Sequence, residues 1–259
     1  MPLHQVSRAY IVAGAEGVLA GIKIARGVFL KIDPQLEVKI LKKDGDRLKP
    51  GDRVSSILGS VSNILKSERT ALNFLQHLSG IASQTARYMA EIEGLSVDIT
   101  DTRKTLPGLR ALEKYAVTVG GGKNHRFHLG DGILVKDNHL AALQALGMDL
   151  KKIVSQVKKK APKGLEVEVE VTTAEEALEA AQAGADFILL DNMSPDEMRK
   201  VVAQLPARVK TEASGGIILD NVRAVAETGV TRISIGALTH SAQALDLSLE
   251  LEPHTLKLL

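Results

Sequence analysis

The feature that most constrains this chain is a regular alternation of strand and helix patterns over residues 95–237. Six segments rich in β-branched and apolar residues are each followed by a segment with apolar residues at helical spacing. The predicted strands are SVDITDT, GILVKDN, LEVEVEV, FILLDN, VKTEASGG and RISIGA. Strands that alternate with helices predict a parallel sheet, which is either doubly wound or closed into a barrel.

The ends of these strands favour the barrel. After the first strand, each strand ends on a polar residue or a glycine: Lys136, Glu170, Asp191, Ser214 and Gly236. In a barrel, the carboxyl ends of all strands open at one mouth, whereas a doubly wound sheet concentrates such residues at one switch point. We therefore expect an α/β barrel whose mouth carries the chemistry. Ser194 and Pro195 add the expected N-cap and first residue of one barrel helix.

The N-terminal part has a different pattern. Residues 7–65 read as short strands, with AYIVA, GVLAG, VFLKI and LEVKILK as candidates. From Ser67 the spacing of apolar residues predicts a helix that Ser67 caps and that Gly80 breaks in two. Arg69 then falls in the first turn, where a cation opposes the helix dipole. A ligand-binding role for Arg69 and a plain exposed arginine both remain open.

Composition excludes several classes of function. The net charge is only +2 and aromatic residues make up 3% of the chain, which is not typical of a nucleic-acid surface. No apolar run approaches the length of a membrane span, so we expect no membrane partner. The chain has no cysteine, which removes disulfides and thiolate metal sites and is typical of a cytoplasmic protein.

Positive charge is instead concentrated in residues 101–139. Five side chains near the first two strand ends form a cationic wall: Arg103, Lys104, His125, Arg126 and Lys136. Convergent cations are tolerated when an anion neutralises them, and arginine presents a planar fork to a carboxylate or a phosphate. The wall therefore predicts a substrate with several negative groups. The alternative is a solvated, salt-bridged face.

Two acids follow on the next two strands. Glu170 and Asp191 would meet at the same mouth, where they could bind Mg²⁺ or act as general acid and base. Asp191 could also be a turn residue. Glu166 and Glu168 alternate with valine and share a face with Glu170, so the sequence ranks these three glutamates only weakly.

The last two strand ends predict a phosphate site. Ser214, Gly215 and Gly216 follow the fifth strand and Gly236 follows the sixth, which is where barrels often bind phosphate through backbone N–H groups. Either stretch alone could be a turn. The chain has no GxxxxGK[ST], HExxH or GxSxG motif. The combined mouth suits a phosphorylated sugar with a pyrophosphate leaving group and an acceptor that carries carboxylates.

At this point the chain resembles the quinolinate phosphoribosyltransferase family. The resemblance rests on ERTALNFLQHLSGIAS, DTRKTLPGLRALEKYAV, GGGKNHRFHLGDGILVKDNH, VEVEV, LLDN, EASGGI and ISIGALTHS, and it covers residues 10–250. It implies transfer of phosphoribose from 5-phosphoribosyl-1-pyrophosphate to quinolinate with loss of CO₂, a step of NAD biosynthesis that depends on Mg²⁺. It also implies an incomplete α/β barrel, over 83–240, and an N-terminal α/β sandwich, over 1–82, to which the tail, 241–259, returns.

The resemblance also assigns residues. Substrate-binding positions are Arg69, Thr102, Arg103, Lys104, His125, Arg126, Lys136, Glu170 and Asp191, with Lys104, Lys136, Glu170 and Asp191 as the catalytic ones. Glu170 and Asp191 would hold Mg²⁺. The 5-phosphate would bind at Ser214, Gly215, Gly216, Gly236 and His240. Arg69 matches an arginine that enters the neighbouring subunit's site, which implies a homodimer or a higher oligomer. The rival readings are a molybdenum-transport-associated paralogue and a phosphosugar-binding or nicotinate-using relative.

Overall fold

A computed structural model of the chain describes residues 5–252 and the backbone of residues 257–258. The chain forms two compact units. Unit 1 contains the residues up to Ala86, Thr105–Gly122 and the residues from Ala237 onward, and unit 2 contains Arg87–Lys104 and Lys123–Gly236. The domain limits expected from the sequence, at residues 82 and 240, stay a prediction.

Unit 1 is the α/β sandwich. Its strands are β1 (Gln5–Ala13), β2 (Gly17–Val18), β3 (Glu37–Ile40), β4 (Arg47–Leu48), β5 (Arg53–Ser60), β12 (Leu247–Leu251) and β13 (Lys257–Leu258). Its helices are α1 (Ile22–Ile32), most of α2 (Val61–Glu91), α3 (Arg110–Val119) and α9 (Ala237–His240).

The sheet of unit 1 is antiparallel and includes the end of the chain. Its strands lie in the order β12-β1-β5-β3, with β13 also paired to β1. Phe29 of α1 and Leu72 and Leu75 of α2 pack with the inner face of this sheet into one apolar core. The pairing of Ala9 with Leu251 confirms that the tail returns to the N-terminal sandwich.

Unit 2 is the incomplete barrel. Its strands are β6 (Asp98–Thr100), β7 (Ile133–Val135), β8 (Val167–Val171), β9 (Phe187–Asp191), β10 (Lys210–Ser214) and β11 (Arg232–Ser234). Its helices are α4 (Asp137–Gln144), α5 (Leu150–Lys160), α6 (Ala174–Gln182), α7 (Pro195–Gln204) and α8 (Leu219–Ala226), with a 3₁₀ turn at Leu129–Asp131.

The strand order of unit 2 explains why it is a barrel and why it is open. All six strands are parallel and run β6-β11-β10-β9-β8-β7. The first strand therefore pairs with the last, as in a closed barrel, and the order does not reverse as in a doubly wound sheet. Among the described strands, β6 and β7 are not paired with each other. Lys123 covers the free edge of β6 through a bridge to Thr100.

Three local predictions in unit 1 are wrong. VFLKI is the second half of α1 and not a strand, because Ile22, Ala25 and Phe29 are buried at helical spacing. Helix α2 begins at Val61 and not at Ser67, so Ser67 is no cap, and its hydroxyl donates to the Asn63 carbonyl at 2.8 Å inside the helix. Arg69 consequently lies about two turns into the helix, and the argument from a first-turn cation does not hold.

Helix α2 is also continuous through Gly80, where the sequence predicted a break. A Cβ atom at Gly80 would lie 2.2 Å from the carbonyl oxygen of Gln243. The glycine is therefore needed for the close approach of a neighbouring backbone. By contrast, the expected cap of α7 is confirmed, since Ser194 and Glu197 form a capping box and Pro195 is the first helical residue. In residues 5–252 and 257–258, no helix is both long enough and apolar enough to span a bilayer.

Candidate active site

A cavity of about 570 Å³ opens at the carboxyl ends of the barrel strands. Most of the predicted site residues line it: Thr102, Arg103, Lys104, His125, Arg126, Lys136, Glu170, Asp191, Ser214, Gly215 and Gly216. They lie on or directly after β6, β7, β8, β9 and β10 and in the loop that precedes β7. The mouth of the barrel thus brings together the cationic wall, the acid pair and part of the predicted phosphate site.

Three predicted residues are not among those that line the cavity. Gly236 follows two residues after Ser234, which does line it. Arg69 and His240 belong to unit 1. The Arg69 side chain is 72% exposed, and its nearest acid is Glu68 at 4.0 Å. The His240 ring contacts the Ser241 hydroxyl at 2.6 Å. The roles of these three residues remain predictions.

The loops of the cationic wall are held by side chains that cap backbone N–H groups. Lys104 N–H donates to the Thr102 hydroxyl at 3.0 Å, which turns the chain sharply after β6. The buried Asp101 carboxylate accepts the His125 N–H at 2.9 Å. The wall is therefore anchored to the end of β6 at two separate points along the chain.

Lys136 and Glu170 form an ion pair inside the cavity. Their Nζ and Oε2 atoms are 3.2 Å apart, and the Lys136 side chain is 46% exposed. His139, four residues into the KDNH motif, accepts the Lys136 N–H at Nδ1 with a distance of 3.0 Å. The imidazole thus closes the turn between β7 and α4 and fixes the backbone that carries the lysine.

Asn192 is a cavity residue that the sequence did not single out. It has a positive φ of 55°, which is unusual for a residue other than glycine and tolerable for asparagine. Its Nδ2 donates to Asp191 Oδ2 at 2.8 Å, and its N–H donates to the Ser214 carbonyl at 2.9 Å. Asn192 therefore links the acid pair to the next strand end. The signal available in the sequence was an asparagine directly after the aspartate that ends a strand.

The cradle, which is Ser214, Gly215 and Gly216, depends on backbone conformation. Gly215 and Gly216 have φ values of 84° and 62°. At Gly215 a Cβ atom would lie 2.3 Å from Asn192 Oδ1, so the position also lacks space for a side chain. Asn221 Nδ2 donates to the Gly216 carbonyl at 2.9 Å and stabilises the loop from the other side. The cradle offers backbone N–H groups ahead of helix α8.

Beneath the mouth lies a largely buried layer of three charged residues, Glu168, Glu212 and Arg232. Of these, Glu212 also lines the cavity. The Arg232 guanidinium contacts both carboxylates, with a distance of 2.9 Å to Glu168 Oε1. The two carboxylates also lie 3.3 and 3.2 Å from His125 Nε2. The sequence left Glu168 open and gave no role to Glu212 or Arg232. Their common signal is that each stands two residues before a residue lining the mouth, on the same face of its strand.

This layer controls the charge of His125. Burial lowers the pKa of His125, but hydrogen bonds to Glu168 and Glu212 and their negative charges outweigh burial and raise the pKa to about 9. The Arg126 N–H, 2.7 Å from Nδ1, favours the neutral ring, since a charged ring has no lone pair there. The two carboxylates have a larger effect on the pKa of His125 than the Arg126 N–H dipole has. Burial raises the pKa of Glu212, yet His125 and Arg232 hold it at about 2.

The acid pair fits a hard cation better than the buried layer does. His125, Glu168 and Glu212 bring one ligand atom each within 4.8 Å of the others. The Arg232 guanidinium already occupies the position of a cation beside both carboxylates. Glu170 and Asp191 instead lie at the carboxyl ends of neighbouring strands, line the open cavity and offer the oxygen ligands that Mg²⁺ prefers.

Comparison with known proteins agrees with this geometry. The model of the quinolinate phosphoribosyl transferase C-terminal domain matches residues 81–250, and that of the N-terminal domain matches residues 2–79. The chain belongs to the quinolinate phosphoribosyltransferase family. It is 44% identical over 247 residues to the probable nicotinate-nucleotide pyrophosphorylase [carboxylating] of Bacillus subtilis (strain 168), which covers 95% of this chain and 84% of the relative.

Two further members of the family are similar over most of their length. The probable nicotinate-nucleotide pyrophosphorylase [carboxylating] of Methanothermobacter thermautotrophicus is 42% identical, with coverage of 94% of this chain and 88% of the relative. The crystal structure of NadC from Streptococcus pyogenes has a TM-score of 0.89 and 44% identity, and covers 97% of this chain and 89% of that chain. The predicted family and fold class are thereby confirmed.

Proposed function

We propose that this chain transfers phosphoribose from 5-phosphoribosyl-1-pyrophosphate to quinolinate, with release of pyrophosphate and CO₂, and so makes nicotinate mononucleotide for NAD biosynthesis. Family membership supports this reaction. The observation that carries it is one cavity lined by a cationic wall, an acid pair and a glycine cradle. Each of these three parts suits one portion of the two substrates. We place the reaction in the cytoplasm, for which the lack of cysteine is the supporting observation.

The cationic wall would bind quinolinate. Its two carboxylates need at least two cationic groups, and arginine can hold a carboxylate through two parallel hydrogen bonds. Burial and the neighbouring Arg103 lower the pKa of Arg126, so the pair of arginines favours an anion between them. Binding both carboxylates would fix the pyridine ring in one orientation.

The other side of the cavity would bind the sugar. The cradle would accept the 5-phosphate through backbone N–H groups, together with Gly236 and His240. Glu170 and Asp191 would hold the ribose hydroxyls and Mg²⁺, and the ion would neutralise charge on the pyrophosphate. Lys104 would add a cation for the pyrophosphate from the opposite side.

The chemistry follows from these positions. As the bond between C1 and the pyrophosphate oxygen breaks, positive charge develops on the ribose, and Glu170 and Asp191 stabilise it. The oriented pyridine nitrogen forms a bond to C1 and becomes cationic. The bond from ring C2 to its carboxylate then breaks, the electron pair stays at C2 beside the cationic nitrogen, and CO₂ leaves. C2 finally takes up a proton, for which Lys104 and Lys136 are ammonium groups in the cavity.

The test of the function is a direct assay. Purified protein is incubated with quinolinate, phosphoribosyl pyrophosphate and Mg²⁺, and nicotinate mononucleotide is followed by chromatography. Nicotinate replaces quinolinate in the control. We expect product from quinolinate and little or none from nicotinate, because nicotinate has one carboxylate fewer for the wall. Absence of product from quinolinate, or equal turnover of both acids, contradicts the proposal.

A shared site in a homodimer or higher oligomer is part of the proposal. The exposed Arg69 guanidinium would enter the site of the neighbouring subunit and meet the quinolinate carboxylates. Arg69→Ala and Lys136→Ala proteins should each be nearly inactive. Once their subunits have exchanged, the mixture should recover part of the activity, since one site in each mixed dimer is intact. Exchange without recovery, with mass spectrometry as proof of mixing, argues against the shared site.

A further inference from the structure

The buried layer under the cavity is unusual for a barrel interior. Large branched apolar residues normally fill such layers. Here Glu168 and Glu212 are 6% and 1% exposed at their side chains, and Arg232 is 19% exposed. Arg232 does not line the substrate cavity. It lines a second cavity of about 290 Å³ that shares His125 and Arg126 with the first.

Stability is a poor reason for such a layer. Removing charges from water is expensive, and apolar residues of similar volume often replace a buried ion pair with equal or better stability. The charges are also held in a defined geometry. The Arg232 guanidinium contacts both carboxylates and lies 3.9 Å from the centre of the Phe187 ring. Its planar fork therefore fixes where the two carboxylates point.

The two carboxylates also contact His125, which lies in the loop of the cationic wall. Both accept from His125 Nε2, and Arg232 Nη2 is also 3.0 Å from this nitrogen. On the opposite side of the ring, Nδ1 lies 2.7 Å from the Arg126 backbone nitrogen. The His125 ring thus connects the buried layer to the backbone of the next residue in the wall.

Among the described residues, the Arg126 side chain makes one hydrogen bond. Its Nη1 donates to the Gly132 carbonyl at 3.2 Å. Within the described part of the chain, its buried Nε has no hydrogen-bond acceptor. The side chain is therefore held by few hydrogen bonds, and an unsatisfied buried donor is costly. The position of the guanidinium consequently depends on the backbone of Arg126.

From these contacts we propose that Arg232 is a positioning residue for the dicarboxylate substrate, acting on His125 and Arg126 through Glu168 and Glu212 without touching the substrate. This inference rests on the proposed function. It predicts that a change at Arg232 weakens quinolinate binding and leaves the binding of phosphoribosyl pyrophosphate unaffected, because Arg232 does not line the cavity that contains the cradle and its contacts lead to His125.

The test compares four variants of the full-length protein by steady-state kinetics, with KM measured separately for each substrate. Arg232→Met removes the guanidinium, and Arg232→Lys keeps a positive charge. The double variant Arg232→Met with Glu212→Leu removes both members of one ion pair. Lys210→Met is the matched control. Lys210 stands two residues before Glu212 on the same strand and forms an exposed pair with Glu166.

For Arg232→Met we expect the KM for quinolinate to rise up to about 10²-fold, because a small displacement of a positioning group can have an effect of this size. The KM for phosphoribosyl pyrophosphate should stay within about twofold of wild type, as should both values for Lys210→Met. Arg232→Lys should recover part of the affinity. The double variant should melt at or above the temperature of Arg232→Met and still bind quinolinate weakly in calorimetry.

Several results overturn the inference. One is wild-type quinolinate affinity in the double variant, which would show that the layer does not position the wall. Another is an equal rise in both KM values, or a fall in kcat alone that follows the melting temperature, since these indicate a purely structural role. If Arg232→Met does not fold, the double variant and Arg232→Lys decide. The proposed function fails separately, when the wild-type protein makes no product from quinolinate.

Discussion

The two sides of the cavity offer different groups to the anions that we propose they bind. The cationic wall uses long charged side chains on loops, and the position of these side chains depends on contacts beneath and beside them. The cradle uses backbone N–H groups, and its form depends on glycines at positive φ and on the space left for them. Charged side chains attract carboxylates strongly and can adjust to their position. A backbone loop instead makes close and rigid contact with a phosphate. The comparison predicts that the wall is sensitive to charge and the cradle to shape.

The largest effect is expected on the wall. Lys136→Ala removes a cation inside the cavity and leaves Glu170 without the ammonium 3.2 Å away. We expect kcat/KM for quinolinate to fall about 10³-fold. Lys123→Ala is the matched control, since Lys123 pairs with Asp98 at 2.8 Å on an exposed surface. A comparable loss in both variants means that general charge, and not the wall, is being measured.

The second effect is a pH dependence carried by His125. The folded-state pKa is raised from 6.5 to about 9, so the stabilisation by the charged ring is complete below pH 6.5 and is lost as the pH rises through about 9. We expect wild-type stability to fall by about 2 kcal/mol across this window relative to His125→Gln. Denaturant unfolding at a series of pH values measures the difference. Parallel curves for the two proteins rule out a charged ring.

The third effect is one of shape in the cradle. Gly215→Ala keeps every charge but places a Cβ atom against Asn192 at a φ of 84°. We expect the KM for phosphoribosyl pyrophosphate to rise about tenfold and that for quinolinate to change little. Gly164→Ala matches the backbone strain, with a φ of 88° and open space around it. It should cost stability alone. If quinolinate binding suffers as much as phosphoribosyl pyrophosphate binding, the two sides are not independent.

The smallest effect separates the backbone of the cradle from its one hydroxyl. Ser214→Ala removes the hydroxyl and keeps the N–H groups. We expect the KM for phosphoribosyl pyrophosphate to rise only about fivefold, which corresponds to one ordinary hydrogen bond. Isothermal titration with phosphoribosyl pyrophosphate provides an independent value. A loss larger than that of Gly215→Ala would make the cradle a side-chain site.

The sequence predicted much of unit 2 and of its mouth. Alternating βα segments determine a parallel sheet, and polar residues at strand ends mark the mouth without any knowledge of register. The sequence could not place the buried layer, because Arg232 and Glu168 are 64 residues apart and meet only once the strands are in register. Asn192 was missed for a similar reason, since its role depends on a left-handed backbone beside Gly215.

The errors in unit 1 have local causes. VFLKI is a short apolar run, and such runs suit a strand and a buried helix equally. At Gly80 a glycine inside a helix suggested a break, but tertiary packing required the missing side chain. The start of α2 was displaced because Ser67 has the residue type of a cap while its hydroxyl bonds to a carbonyl within the helix.

The pairing of β6 with β11 also has a consequence for synthesis and folding. The barrel strand that is synthesised first cannot pair with β11 until β11, the last barrel strand, has been made, because Thr100 pairs with Ser234. Long-range pairing of this kind slows folding, since a long loop must close before the contact forms. Arg103 and Lys104, which directly follow β6, are therefore made early and positioned late. A chain stalled or cut before β11 should contain most of the proposed substrate-binding residues and no assembled site.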